Sequence, residues 1–595
     1  MPTSAQVSVR NDRRTTIAVC LGLTFVIWIV FGQTLRHGFI NFDDDQYVYE
    51  NSHVTSGVTV EGLKWFLTHS HASLWHPLTT LTHMVDCQLY GLNPAGHHFT
   101  NVVLHNLAAV LLFLILRMMT ARIGESAFVA AIFAVHPMRV ESVAWIAERK
   151  DVLSGVFFML TLGGYFYYTR KPSVSRYLVM SIFVACGLMS KATFVTVPLV
   201  LLLLDYWPLA RGNDFPAWRR LFLEKIPLFM LSAAASVATV FAQTVTMATL
   251  EQLPLLPRLK NAVVSLAIYL RQTFWPANLA VFYPHPHDQL NIWLVVACSV
   301  LLLGLTVLAI YVRQKMPYVP VGWFWFLILI APVTGIVQAG LQGRADRFTY
   351  LPHIGITIAL TWSIVDLTRQ WQHRQMILRV AGFGVVAIAT ILAFRQTTYW
   401  HDSVSLWRHA LAVTSENQTA YQNLAAAYWS IGKVEESRHE SRAGAIAHAR
   451  TTLKDFPYDV ATHNDLGVML LQNGDVRGGI GQWETSLGID PNDGNALNNL
   501  AWVLATFPGD GVRDGKRAVK LAEQATTLPG GQSPIVLRTL AAAYAEAGEF
   551  SHAIATAQRA LDLTNAQRDK SLSAALRQEI ERYTARAPYR EAPPQ

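Results

Sequence analysis

Charge is scarce in this chain: Lys and Arg number 48 and Asp and Glu 40 in 595 residues, 15% together, against 52% hydrophobic residues. With a mean hydropathy of +0.27, such a composition excludes an ordinary soluble protein of this size. Cysteine is scarcer still, at four residues. Cys20, Cys186 and Cys298 fall inside apolar runs and Cys87 outside them, which excludes a disulfide framework and a thiolate metal site. His69, His71, His76 and His83 crowd one polar stretch beside Trp65 and Trp75, but their spacing is not a metal-ligand signature, and interfacial packing is the plainer reading. The net charge of +8 forms no basic stripe, because the Lys and Arg residues sit at the edges of apolar runs and set orientation; a nucleic-acid partner is excluded.

What the chain has is long apolar segments. The first, 15–35, follows Arg10, Arg13 and Arg14 without a small-residue cleavage site, and reads as an uncleaved anchor with a cytoplasmic N-terminus. Further segments follow at 98–117, 124–136, 151–169, 177–190, 194–208, 226–246, 291–312, 321–340, 351–368 and 377–394. The basic loops alternate, so Lys225 and Arg313 both belong inside, which requires an even number of crossings between them although three apolar segments lie there. Segment 258–275, with Arg258, Lys260, Arg271 and Gln272, is the one expected to lie at the interface. The expectation is about 11 spans in residues 1–396, with a first external loop at 36–97 and an outer face that gathers 136–151, Lys191, 247–290 and Arg344 to Arg347.

After Arg395 the apolar runs stop. Asn423-Leu424-Ala425, Asn464-Asp465-Leu466-Gly467, Asn499-Leu500-Ala501 and Thr539-Leu540-Ala541 recur near a 34-residue period, which is met between Leu466 and Leu500. Paired helices stacked as tetratricopeptide repeats are expected over 397–595, outside the cytoplasm, ahead of a polar Pro593-Pro594-Gln595 end. The expected fold class is therefore all-α: a polytopic membrane helical bundle followed by a soluble α-solenoid. Tyr421, Tyr428, Trp429 and Asn464 are candidates to line a groove for an extended peptide.

The chemistry concentrates in three places. Asp43, Asp44 and Asp45 directly follow the first apolar segment; adjacent carboxylates raise one another's pKa, so a desolvated member can serve as a base, whereas a solvated acidic turn or a Ca²⁺ site is the plainer alternative. An Asp-x-Asp pair holding a metal against a sugar nucleotide would need a cytoplasmic donor, which the topology denies; a lipid monophosphate leaving group can instead be met by Arg or Lys without metal. In the stretch from His136 to Asp151, a continuous helix would put Glu141, Trp145, Glu148 and Arg149 on one face, and pairing among Glu148, Asp151, Arg149 and Lys150 would explain those four charges structurally. Lys191 stands alone at the end of an apolar run, and Asp346-Arg347 lies between two others.

Phe39 with Asp43-Asp44 and Asn51, His76-Pro77-Leu78-Thr79, His98 through His105, His136-Pro137 with Glu141, Arg149 and Asp151, Lys191, and Asp346-Arg347 before Tyr350-Leu351-Pro352 together resemble the GT-C membrane glycosyltransferases. The likeness is to the family of transmembrane and tetratricopeptide repeat O-mannosyltransferases and its bacterial relatives, from about Gly38 onward. The resemblance implies an inverting transfer of mannose or another hexose from a polyprenyl-phosphate donor to a hydroxyl of a protein acceptor held by the repeats. It places the base at Asp43 or Asp44; the basic groups expected to meet the phosphate are Lys191, Arg347 and Arg149, with His136 as a weaker partner. Asp45, Glu141, Asp151, His76 and Asp346 would support them, with His76 standing where the animal members carry Arg. No metal ligand and no cofactor is expected, a divalent ion being the weaker reading. The expected location is a bacterial inner membrane. The rivals are a membrane-anchored repeat scaffold, which predicts no acids and bases aligned in the outer loops, and a lipid-linked glycan flippase or ligase, which does not need the Asp pair.

Overall fold

The computed structural model describes residues 4–69, 74–212, 214–243, 253–338 and 340–591; His71, residues 244–252 and the 593–595 end lie outside them. The chain divides into two compact units, Met1–Ser437 and Arg438–Gln595.

The main helices of the first unit are α1 (Ser4–Phe31), α2 (Pro77–Tyr90), α3 (Pro94–Thr120), α4 (Ile123–Val135), α5 (Arg149–Arg170), α6 (Val174–Leu188), α7 (Val197–Tyr206), α8 (Phe215–Gln243), α9 (Leu255–Phe274), α10 (Ile292–Val312), α11 (Tyr318–Ile330), α12 (Pro352–Leu367), α13 (Arg374–Thr398), α14 (Ser403–Val413) and α15 (Gln418–Ser430). Their ends follow local chemistry. Pro94 sits in the first turn of α3, where its missing N–H costs nothing, and the Asn93 side chain accepts from the Ala95 N–H at 3.1 Å. Helix α4 stops at His136, ahead of Pro137, and the chain continues through Pro137–Ala144 after a 59° bend.

Among the described residues six helices, α1, α3, α5, α8, α10 and α13, lie in segments long and apolar enough to cross a membrane, or seven if the bent pair that begins with α4 counts as one. The four others expected as spans, α6, α7, α11 and α12, are apolar but short. Length and composition thus support six or seven crossings where eleven were expected. Helix α9, the expected interfacial element, is not among the apolar candidates. It is amphipathic in the inverted sense, burying Arg258, Asn261, Ser265 and Gln272 while exposing Leu255, Leu256, Leu259 and Phe274.

Close glycine contacts set the frame of the site. A Cβ on Gly322 of α11 would lie 2.2 Å from the Gly355 carbonyl of α12, and one on Gly355 would lie 2.4 Å from the Gly322 carbonyl, so these helices meet backbone to backbone. Gly155 of α5 likewise admits Tyr350, whose ring carbon would be 2.8 Å from an added Cβ, and the Tyr350 hydroxyl is 2.8 Å from His105 Nδ1 on α3. The segment between α11 and α12 is therefore pinned to α5 and α3. A two-stranded antiparallel ladder, Tyr283–Pro284 with Gln342–Arg344, pins its other end.

Helices α14 and α15 belong to the first unit, although the sequence reading begins the repeat part at 397. Leu406, Trp407, Ala410, Ala420, Leu424 and Tyr428 are buried in the same apolar cluster as the membrane-type helices.

The second unit is built of helix pairs: α16 (Val460–Gln472) with α17 (Val476–Ile489), α18 (Gly494–Thr506) with α19 (Gly515–Thr527), and α20 (Pro534–Glu546) with α21 (Phe550–Ala566), ending in α22 (Lys570–Thr584). Small residues recur where helices touch. A Cβ on Gly467 would meet the Trp483 indole at 2.5 Å, and Ala501 and Ala541 are fully buried.

Candidate active site

The acidic loop is held from three sides. Asp44 is 1% exposed and accepts two backbone N–H groups, Ile40 at 3.0 Å and Ala147 at 2.9 Å. Phe42 stacks on Trp145 at 4.9 Å, and the Trp145 indole N–H donates to the Phe42 carbonyl at 2.9 Å. Asn41 reaches the opposite way, accepting from Trp407 Nε1 at 2.9 Å and donating to the Asn423 carbonyl at 2.7 Å, so α14 and α15 help to place this loop.

Asp43 is held by its neighbours and not by its own carboxylate, which makes no hydrogen bond among the described residues. Its backbone is left-handed at φ 63°, a conformation costing a non-glycine residue about 1–2 kcal/mol, which the flanking contacts must offset. Burial raises its pKa above the ordinary aspartate value against the pull of Lys150 and Arg347, with Glu148 and Asp45 adding to the rise. Asp44 is pushed up to about 8 by burial, opposed by the N–H groups of Ile40 and Ala147. Asp45 is half-buried, and its carboxylate accepts the N–H of Gln46 at 2.8 Å.

The stretch from His136 to Asp151 is not one continuous helix. Val140–Ala144 is helical, Trp145 is extended at φ −87° and ψ 120°, and a 3-10 turn over Ile146–Glu148 leads into α5. The break has a physical return: it frees the Ala147 N–H for Asp44 and turns the indole toward Phe42. It also separates Arg149 from Glu141, Trp145 and Glu148, which one helical face would have joined to it and which here meet at Arg347. Arg149 is fully buried in another network, donating to Asp86 at 2.7 Å and to the His97 carbonyl at 2.8 Å and bonding Asn101 Oδ1.

Glu148 instead stands among three cations. Its Oε1 is 3.0 Å from both Lys150 Nζ and Arg347 Nε, and its Oε2 is 3.9 Å from Lys191 Nζ. Arg347 also binds Glu141, through its guanidinium to Oε1 and through its backbone N–H to Oε2 at 2.7 Å. Burial works against its charge, but Glu141 and Glu148 hold its pKa above the ordinary value. Lys191, expected to be unpaired, is paired with Asp151, whose second oxygen accepts from Ser142 at 2.8 Å. Lys150 adds cation–π contacts to Tyr47 at 4.8 Å and Trp145 at 5.8 Å.

Lys191, Asp151 and Arg347 line the polar end of a cavity of about 30 Å³, and Phe194, Val197, Leu329 and Val333 line its apolar wall. Nearby, Asp346 accepts from the Tyr283 hydroxyl at 3.0 Å; burial and the Glu141 carboxylate raise its pKa.

The sequence-predicted residues thus fall into two groups. Asp43, Asp44, Glu141, Asp151, Lys191 and Arg347 converge, joined by Lys150 and Glu148, which sequence reasoning left as a local ion pair. Their signal was the density of charge beside an apolar segment, but which charges converge depends on the break at Trp145. Arg149 and His136, expected as phosphate contacts, sit in separate networks; His136 Nε2 is 3.1 Å from the Thr273 carbonyl and its ring is edge-on to His353 at 5.7 Å. His76 is buried and stacks on Tyr47 at 5.2 Å. The expected peptide-lining residues also part company. Tyr428 is core of the first unit and Trp429 is exposed there, whereas Asn464 in the second unit donates to Asp493, the cap of α18.

Among the described residues no group of three or more His, Cys, Asp or Glu side chains has metal-holding geometry.

No protein-family model matches the chain. It is similar to "Protein O-mannosyl-transferase Tmtc1" of Drosophila melanogaster, 33% identical over 212 residues, which cover 33% of this chain and 24% of that protein. "Protein O-mannosyl-transferase TMTC1" of Homo sapiens is 24% identical over 523 residues, covering 74% of this chain and 55% of that protein. "Protein O-mannosyl-transferase TMTC4" of Homo sapiens is 23% identical over 470 residues, covering 67% and 62%. The chain thus spans less than two thirds of the length of each of these relatives.

Proposed function

We propose that this chain is an inverting membrane glycosyltransferase that moves mannose or another hexose from a polyprenyl-phosphate donor to a hydroxyl of a protein. The observation that carries the reading is Asp43: a carboxylate in a left-handed backbone, with no hydrogen bond among the described residues and a raised pKa, in the field of Lys150 and Arg347. The similarity to proteins named O-mannosyl-transferases supports the reaction class.

In this mechanism Asp43 takes the proton of the acceptor hydroxyl as the oxygen bonds to the anomeric carbon. The bond from that carbon to the phosphate oxygen breaks on the opposite face, and the polyprenyl phosphate leaves with the bond's electrons. One displacement inverts the anomeric configuration. Lys191 and Arg347, with Lys150, meet the charge that grows on the phosphate, so no divalent ion is required. The apolar wall at Phe194, Val197, Leu329 and Val333 suits the first isoprene units of the donor. Asp44 is a positioning residue: it clamps the loop that carries Asp43. The repeats hold the acceptor polypeptide. The site faces the extracytoplasmic side, with the N-terminus inside, in a bacterial inner membrane.

The test is incubation of the purified protein with polyprenyl-phosphate mannose and polyprenyl-phosphate glucose, followed by mass analysis of co-purifying proteins for an added hexose. No hexose from either donor, in preparations that bind the donor, would leave the lipid-linked flippase reading in its place.

A further inference from the structure

The segment that follows α22 packs Tyr589 against the small residues of the last helix pair, Ala541, Ala545, Ala553 and Ala557, and continues beyond it. It runs back across α20 to α18, which pack against each other directly. The Glu591 N–H donates to the Thr506 carbonyl at the end of α18 at 3.0 Å, and the Glu591 carboxylate accepts from the Trp502 indole at 2.8 Å. Arg590 pairs with Glu546 of α20 at 2.6 Å, a carboxylate that also binds Arg513 at 3.0 Å. The Tyr589 ring lies 5.9 Å from that of Trp502, and the Arg538 guanidinium lies over both, 4.5 Å from Trp502 and 5.8 Å from Tyr589, fixed from behind by Glu579. All five residues from Ala587 to Glu591 are half-buried.

These are the contacts of a bound peptide. The segment has no regular secondary structure, one backbone N–H donates to the Thr506 carbonyl, an aromatic ring packs on a Trp–Arg platform, a basic residue meets a carboxylate and an acidic residue meets an indole N–H. Tyr589 covers apolar surface of the last pair, as a cap would; Arg590 and Glu591 go further and meet polar groups of α20 and, upstream of that pair, of α18.

We propose that Ala587–Glu591 occupies a peptide-binding groove on α18 and α20 and keeps it closed to an extended protein segment of the same chemistry, an aromatic residue followed by a basic and an acidic one. The proposal rests on the reading of the repeats as the acceptor-holding part, and it adds regulation: an acceptor must displace the chain's own segment.

The experiment needs neither donor nor transfer, so its failure is separable from failure of the enzymatic reading. The full chain in detergent is titrated into a fluorescent peptide of residues 584–591, with Tyr589→Ala/Arg590→Ala as the opened variant. For a short tether the effective concentration is about 1 mM, so a segment whose free peptide binds at about 50 μM keeps the groove closed about 20:1. The opened variant should therefore bind the peptide about 20-fold more tightly than the wild type, with the helical circular dichroism of the folded chain retained and its unfolding transition lowered and restored by saturating peptide. Trp502→Phe in the opened variant keeps the ring but removes the indole donor, and should weaken that binding. Equal affinity of wild type and opened variant, or no binding by either, would overturn the proposal. So would a wild-type dimer that the double substitution dissociates, since the occupant would then be a second copy's segment.

Discussion

Asp43→Asn and Asp44→Asn are adjacent and chemically identical substitutions, yet they should fail in different ways. The Asp43 carboxylate makes no hydrogen bond among the described residues, and its backbone carbonyl keeps the Tyr47 N–H at 2.8 Å in either variant, so Asn there keeps the loop intact and removes only the proton acceptor. Transfer should fall by about 10²–10⁴, the usual worth of a positioned base, or about 3–5 kcal/mol of barrier. Unfolding midpoint and donor affinity should stay at wild-type values. Asp44 accepts from Ile40 and Ala147, one at each oxygen. Asn at 44 offers one oxygen and one NH₂, so one buried backbone N–H must face another donor, at a cost of about 1–3 kcal/mol. The variant should melt earlier, and its activity loss should recover in part on cooling or with stabilising osmolyte. The assays are hexose transfer to protein, equilibrium binding of polyprenyl-phosphate sugar, and thermal unfolding in the same detergent. Wild-type transfer in Asp43→Asn would refute the assignment of the base, whatever Asp44→Asn does.

Other outcomes follow from the same geometry. With the Asp43 pKa raised, transfer should be lost on acidification at a higher pH than for a free aspartate; a pH–rate profile whose acid limb lies in the ordinary carboxylate range would contradict this. Stability runs the other way: a raised folded-state pKa, about 8 for Asp44, makes the contribution of the group complete below its unfolded value near 4 and lost as pH rises through 8, so unfolding midpoints should fall across that window. Lys191→Ala and Arg347→Ala should weaken donor binding and turnover together, measured by donor titration and single-turnover transfer, and chelator should change neither. Arg149→Ala should instead strand the buried Asp86 carboxylate and destabilise the protein by about 3–5 kcal/mol, seen in thermal unfolding. A chain cut after residue 437 should keep donor binding, whereas a cut near 415 removes α15, with the Asn423 carbonyl that anchors Asn41, and should lose it.

Composition and pattern alone determined the class of molecule. Apolar runs flanked by basic residues read as helices suited to lipid, and the recurring Asn-Leu-Ala with small residues at fixed spacing reads as packed helices, because both readings follow from local periodicity. The same local logic marked Asp43, Glu141, Asp151, Lys191 and Arg347, each a charge placed where charge is costly. It could not divide labour between Asp43 and Asp44, because the difference lies in the Ala147 N–H, about a hundred residues away, and that N–H is free only because the chain breaks at Trp145. Tertiary structure likewise decided that Lys150 and Glu148, and not Arg149, join Arg347 and Lys191: around a helix start, successive side chains point about 100° apart, so one residue of register separates the cavity from the Asp86 network. It decided, too, that α14 and α15 fold with the membrane-type helices, since Trp407 and Leu424 find their apolar partners there and nothing in their own periodicity says which neighbour they will cover.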